Sequence, residues 1–258
     1  MVVNEMFLDS ASLRYNVVAL AKQLGYTPKS ISSPTAEVSF DLTFLSTAPA
    51  SVTLKAGTGF VTNYDNTLYR YIVRNDVKVE VSNKVASFNN LILNEGSTVL
   101  TRTSFDDSIK SQRFRINNPA ADLNTLVIRV YQSVGSSVFE EYKKADSVLD
   151  IGSDDKVYFI SEVEDEQYEI FFGDNILGKK PVDGEIIEIS YITTNGSSSN
   201  GAKSFLFNGR IEDENNTPIS LPFNVSTITT TSMSSGGSDI ESIEKIKFNA
   251  TKFYGSQN

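Results

Sequence analysis

Residues 171–181 read FFGDNILGKKP, so Gly173 is followed, after a four-residue gap, by Gly178 and Lys179. A phosphate-binding loop is written G-x-x-x-x-G-K-[ST]. Its glycines let backbone amides approach the phosphates, its lysine reaches the outer phosphates and its hydroxyl holds magnesium. Here the hydroxyl position is Lys180. The loop must also open a helix, whose N-terminal amides and dipole bind the anion. The chain continues instead with Pro181, a turn at Asp183-Gly184 and the strand-like run EIIEISYI. The stretch therefore reads as a turn, with Lys179 and Lys180 on an exposed loop. The strands on either side, Tyr168–Phe172 and Glu185–Ile192, are expected to run out and back.

The other chemistry open to the chain is narrow. It holds 258 residues with no Cys and no His. That removes disulfides, thiolate metal sites, Ser-His-Asp and Cys-His nucleophiles and the ordinary zinc site. Carboxylates remain, and Glu162, Glu164, Asp165 and Glu166 form the densest group. They fit neither an EF-hand, which needs D-x-[DN]-x-[DN]-G, nor any spacing that defines a glycosidase pair. They read as the charged tip of a hairpin, as Asp154-Asp155 and the acids of 212–216 read as solvated loops. No catalytic, cofactor-binding or metal-ligating residue is expected.

Net charge is −9, and residues 140–190 carry 15 acids against 5 bases. Such a balance opposes nucleic-acid binding, which needs clustered Lys and Arg. No apolar run reaches the roughly 18 residues that span a bilayer, and residues 1–16 lack the basic start and apolar stretch of a signal peptide. Synthesis and folding in a cytoplasm is the expectation.

The elements that would position any site are mostly strands. Val38, Phe40, Leu42 and Phe44 alternate with polar residues, and LYRYIVRNDVKVEV, NNLILNEGSTVL, QRFRINN and TLVIRVYQS continue as short runs between Asn, Asp, Gly and Ser turns. No long helical pattern separates them, so antiparallel, sandwich-like sheets are expected rather than parallel βαβ units. Two helices frame this β content, making the fold α+β overall and mainly β. The first spans 9–25, with Asp9 or Ser10 as cap, Gly25 at its end and an apolar stripe of Leu13, Val17, Leu20 and Leu24. The second comes after Gly236-Gly237, with Ser238 and Glu241 as a capping box and Ile240, Ile243 and Ile246 at helical spacing. The organisation expected is a helical segment over 1–30, a β domain over 31–145, a second β region over 146–235 with a flexible connection at 195–204, and over 236–258 the start of a helical element cut short. From spacing alone, the first stripe packs on its own domain.

Several stretches, taken in order, resemble one family. They are FLDSASLRYNVVALAKQLGYTPKS, LKAGTGF, NEGSTV, QRFRINNPAADLNTLVIRV, YEIFFGDNILGKKPVDGEIIEISYITTNGSSSNGA and GGSDIESIEKIKFNATKFY. Together they are similar to the baseplate wedge subunits of contractile-tailed bacteriophages, in the baseplate J-like family. The resemblance implies a virion structural protein without an active site. Its partners would be other wedge proteins and further copies of itself, with no nucleic acid, membrane or small-molecule substrate. It also implies a place in the tail baseplate, where six wedges close a ring around the hub and its rearrangement begins sheath contraction. Members continue well past the last residue here, so the ring-forming portion is expected to be absent. They also carry Ala-Pro where this sequence has Ala250-Thr251. Under the resemblance the stripe Leu13, Val17, Leu20, Leu24, with Ile240 and Ile243, becomes a partner-facing seam. The alternatives are a carbohydrate-binding or adhesin β domain of a tail fibre, a carboxylate-dependent glycan-degrading enzyme working through Glu162 to Glu166, and, as a related assembly, the baseplate of a phage-like bacterial injection machine.

Overall fold

The computed structural model describes residues 3–145, 151–163, 166–220 and 222–256. Two compact units form, and each is threaded from separated stretches. One comprises Met1–Ile31, Val99–Tyr191 and Ile240–Asn258, the other Ser32–Thr98 and Ile192–Asp239. The consecutive division at 30, 145 and 235 is thus replaced by an interleaved one, and residues 146–150, where one expected boundary falls, lie outside the described residues.

In the unit built on Ser32–Thr98, β1 (Thr35–Phe44) shows why the sheet forms. Ala36, Val38, Phe40, Leu42 and Phe44 are buried on one face, while Glu37, Ser39 and Asp41 stay partly exposed on the other. Period-two alternation puts every apolar side chain on the core side. β1 pairs antiparallel with β6 (Val85–Glu95), where Phe40 lies opposite Phe88 and their rings stack at 5.1 Å. The sheet continues through β4 (Thr67–Ile72) and β3 (Gly59–Tyr64) to β14 (Leu206–Phe207). On its far side β1 takes β15 (Phe223–Val225) and β16 (Thr229–Ser235). A separate pair, β2 (Ser51–Leu54) with β5 (Val77–Glu80), packs on the same core.

The stretch 195–204 is not the flexible connection expected from its Gly and Ser content. It forms a 3-10 turn at Gly196–Ser199, and Ser199 and Ala202 are fully buried. The Tyr71 hydroxyl, itself buried, lies 2.8 Å from Ser199 Oγ and 2.6 Å from Ser234 Oγ. Serine here is a core-satisfying residue: a buried phenol needs partners.

The other unit holds a sheet in the order β7 (Ser97–Ser104), β13 (Ile186–Thr193), β9 (Ala121–Tyr131), β10 (Phe139–Lys144), β11 (Val157–Glu162), β12 (Tyr168–Phe172), β8 (Phe114–Ile116). The β10–β11 pair is parallel, an exception to the antiparallel expectation. β12 and β13 are not neighbours, so Tyr168–Phe172 and Glu185–Ile192 do not form the expected out-and-back pair. β12 pairs with β11 and β8 instead, and the loop between β12 and β13 carries the chain to the opposite part of the sheet.

This unit also holds both helices, α1 (Arg14–Gln23) and α2 (Ile243–Ser256). Val17, Val18 and Ala21 of α1 bury against Ile246 and Ala250 of α2, with Ala11 completing the cluster. Each fully buried Val or Ile contributes about 1.5–3 kcal/mol. The mainly β, α+β fold read from the sequence is the fold observed, with one helix near each end.

Candidate assembly surface

In the Gly173–Lys180 loop, a phosphate cradle needs free backbone amides, and the loop's amides are taken by its own residues and by the neighbouring segment at Gly152 and Asp155. Asp174 Oδ1 accepts from Ile176 N–H and Leu177 N–H, both at 3.0 Å. Asn175 N–H bonds Gly178 O, Gly178 N–H bonds Gly152 O, Lys179 N–H bonds Asp155 O, and Lys180 N–H bonds Asn175 Oδ1. The bonds from Leu177 N–H and Ile176 N–H hold the Asp174 carboxyl below its usual range, the Leu177 amide contributing most and the Ile176 amide next. Gly178 is needed for its φ of +88°, and a Cβ on Gly173 would lie 2.2 Å from Gly178 O. The lysines are half-buried with carboxylate partners rather than free on an open loop. Lys179 Nζ reaches Glu140 at 2.5 Å, and Lys180 Nζ pairs with Asp107. No helix follows, and the glycines serve turn geometry.

The acid group divides. Glu164 and Asp165 lie outside the described residues. Glu162 ends β11, paired with Tyr168 across the β11–β12 hairpin, and its side chain is only 6% exposed. It meets Arg14 of α1 at 2.6 Å, so it is a buried structural ion pair and not part of a solvated tip. Among the described residues no group of three or more acids is placed to hold a metal ion, and no helix is long and apolar enough to cross a membrane.

The surface predicted for partners is built on the two helices. α1 begins at Arg14, five residues later than Asp9, with Leu13 as an extended cap residue that makes no side-chain cap bond. Glu5 takes over the role of Asp9 or Ser10. Its carboxylate accepts from Ser12 N–H at 3.0 Å, Leu13 N–H at 3.2 Å and Asn16 Nδ2 at 2.9 Å. These bonds, that from Asn16 foremost, pull the Glu5 carboxyl down to about 2. The far end closes as a Schellman motif, with Tyr26 N–H on Ala21 O and Gly25 N–H on Lys22 O, and Gly25 at φ +81°.

Among the six predicted partner-facing residues, the structure separates core from rim. Val17 is fully buried against α2, which corrects its assignment to a partner-facing seam: the chain's own second helix occupies the stripe. Leu20, Leu24 and Ile243 are partly buried in the same cluster, and Ile240 is half-exposed. Leu13 is 60% exposed, because it precedes the helix and stays outside the buried cluster. Phe248 on α2, 68% exposed, is an apolar side chain that the stripe did not include.

The capping box also resolves differently. Ser238 pairs with Ser32 in a short bridge, and Ser242 sits at the head of α2, its Oγ 3.4 Å from Lys245 N–H. Glu241 is 7% exposed and accepts from Tyr26, Lys29 and Asn249. Sequence reasoning missed this role and that of Arg14. The available signal was an acid set between Ile240 and Ile243, inside an apolar spacing where a solvated glutamate does not belong.

No protein-family model matches the chain. Among curated proteins it is similar to the Baseplate wedge protein gp6 of Enterobacteria phage T4, at 28% identity over 263 aligned residues. The alignment takes in 95% of this chain and 38% of that relative, so the chain spans well under half the length of the protein it matches. The resemblance to baseplate wedge subunits drawn from the ordered motifs is thereby borne out.

Proposed function

We propose that this chain is a structural part of a phage tail baseplate wedge, acting by binding proteins and catalysing no reaction. The observation that carries the reading is collinear similarity to a baseplate wedge protein over 95% of the chain. The spent amides of the Gly173–Lys180 loop agree with it, since they leave the most enzyme-like stretch without a cradle. Its partners are other wedge proteins and further copies of itself, in a ring around the tail hub whose rearrangement triggers sheath contraction. It acts in the virion tail and is assembled in the cytoplasm of the host. Leu13, Ile240 and the outer rim formed by Leu20, Leu24 and Ile243 face the partner. Val17 supports that rim from beneath.

The test is co-assembly with the other wedge proteins of the same phage, read by light scattering behind size-exclusion chromatography. The wild-type chain is expected to join a heteromeric complex, and Leu13→Asp with Ile240→Asp to reduce its yield while the fold stays intact by circular dichroism. A chain that never enters the complex, or that has no place in the sixfold ring of a particle map, overturns the reading.

A further inference from the structure

The docking of α2 on α1 combines an apolar contact with one buried carboxylate. The apolar contact has six buried residues, three of them alanines, with Leu8, Leu20, Leu24, Tyr26 and Ile243 packed around them. Against it stands the Glu241 carboxylate, buried at the head of α2. Oε1 accepts from the Tyr26 hydroxyl at 2.7 Å and from Asn249 Nδ2 at 2.6 Å, and Oε2 accepts from Lys29 N–H at 2.9 Å. A single group therefore joins the exit from α1, the segment beyond it and the second turn of α2. From α1, Arg14 donates to the Glu241 carbonyl and to Glu162 of β11, with Glu166 at 3.7 Å.

We propose that Glu241 is a latch, and that α2 leaves α1 as a unit, with the sheet still folded, when this carboxylate is protonated or removed. Protonation or replacement by glutamine turns one of the two accepting oxygens into a donor group, so the donors on that side lose their acceptor at a partly buried place, which costs more than losing an exposed bond. Opening would uncover Val17, Val18 and Ala21, the apolar face that α2 otherwise covers. The inference rests on the chain's own geometry and stands whether or not the baseplate reading does.

The charged and titratable groups facing Glu241 are Tyr26 and Lys29 beyond α1, and Arg14 of α1 with Glu162 and Glu166 behind it. Burial pushes the Glu241 carboxyl up, but the bonds from Lys29 N–H, Tyr26 and Asn249 outweigh it and leave it below its ordinary value. A depressed carboxyl stabilises docking above the ordinary glutamate value of about 4.3 and loses that contribution as pH falls through the folded-state value. Substitution at neutral pH isolates the latch from every other effect of acid.

The experiment is amide hydrogen exchange, corrected for intrinsic rates, on wild type, Glu241→Gln and Tyr26→Phe. At neutral pH, Glu241→Gln should speed exchange in α2 by about tenfold or more, leaving β11 and β12 of the same unit unchanged. Tyr26→Phe should move α2 the same way by less, and wild type should release α2 on acidification before its strands open. Unchanged α2 exchange in Glu241→Gln, or α2 and strands opening together, overturns the proposal. Should Glu241→Gln not fold, Tyr26→Phe and the acid titration of wild type carry the same two outcomes.

Discussion

Two tyrosines of one core expose what a hydroxyl contributes when it has nothing to bond. Tyr142 and Tyr168 are 2% and 3% exposed, and neither hydroxyl has a hydrogen-bond partner among the described residues. Burial pushes both phenols up, with nearby carboxylates adding to it. Tyr142→Phe and Tyr168→Phe should leave urea stability unchanged or raise it by up to about 1 kcal/mol. Tyr71→Phe, which abandons Ser199 and Ser234, should lower it by about 1–3 kcal/mol. At the surface, Glu5 makes a different prediction. Its depressed carboxyl stabilises the head of α1 above the ordinary glutamate range, and that contribution fades as pH falls toward about 2. A carboxyl chemical-shift titration with its midpoint in the ordinary range would remove Glu5 from the cap. At this scale the sequence was least legible. Arg14, Glu162 and Glu241 owe their roles to partners far along the chain, as the separation of 215 residues between Tyr26 and Glu241 illustrates.

Elements were far easier to read. The alternation of β1 and the helical spacing of Ile240, Ile243 and Ile246 each specify a buried face, because one side of each element must leave water, although α2 begins only at Ile243 and of the three Ile246 alone is fully buried. Pairing was not legible. Nothing local says that β12 lies beside β8 and β11 while β13 lies between β7 and β9, since partner choice is settled by the whole sheet. Two glycines test how tightly elements are held. Gly96 joins β6 to β7 at φ +120°, and a Cβ there would lie 2.1 Å from Thr193 O. Gly57 has φ +86° with open space around it. Gly57→Ala should cost about 1–2 kcal/mol of backbone strain, and Gly96→Ala about 3 kcal/mol or more, compared by denaturant midpoint. In the helix pair, Ile246→Ala should cost about 2–5 kcal/mol. Val17→Asp buries a charge in the same cluster and should disrupt folding of the pair itself. It therefore cannot serve as a clean probe of assembly, whereas Leu13→Asp can.

For the whole molecule, composition set the strongest limits. The chain has no His or Cys, and with the amides of its near-phosphate motif already bonded to carbonyls and side chains the Gly173–Lys180 loop offers nucleotides no cradle. Millimolar MgATP should therefore leave the melting temperature unmoved, and a rise of several degrees would show that the Gly173–Lys180 loop opens. The ordered set of motifs pointed to a baseplate wedge relative, and the collinear similarity agrees. The interleaving of the two units escaped sequence reading, because the strands on both sides of each crossing share one alternating pattern.

That interleaving has a consequence in time. One unit takes segments from the beginning, middle and end of this sequence, so it cannot be finished until the ribosome has made the whole of the other. Val17 and Val18 emerge early, yet their covering helix is encoded more than two hundred residues later. At about 5–20 residues per second, α1 stays uncovered for some ten seconds or more on every nascent chain. During that interval any apolar helix nearby competes for the face that α2 will later claim.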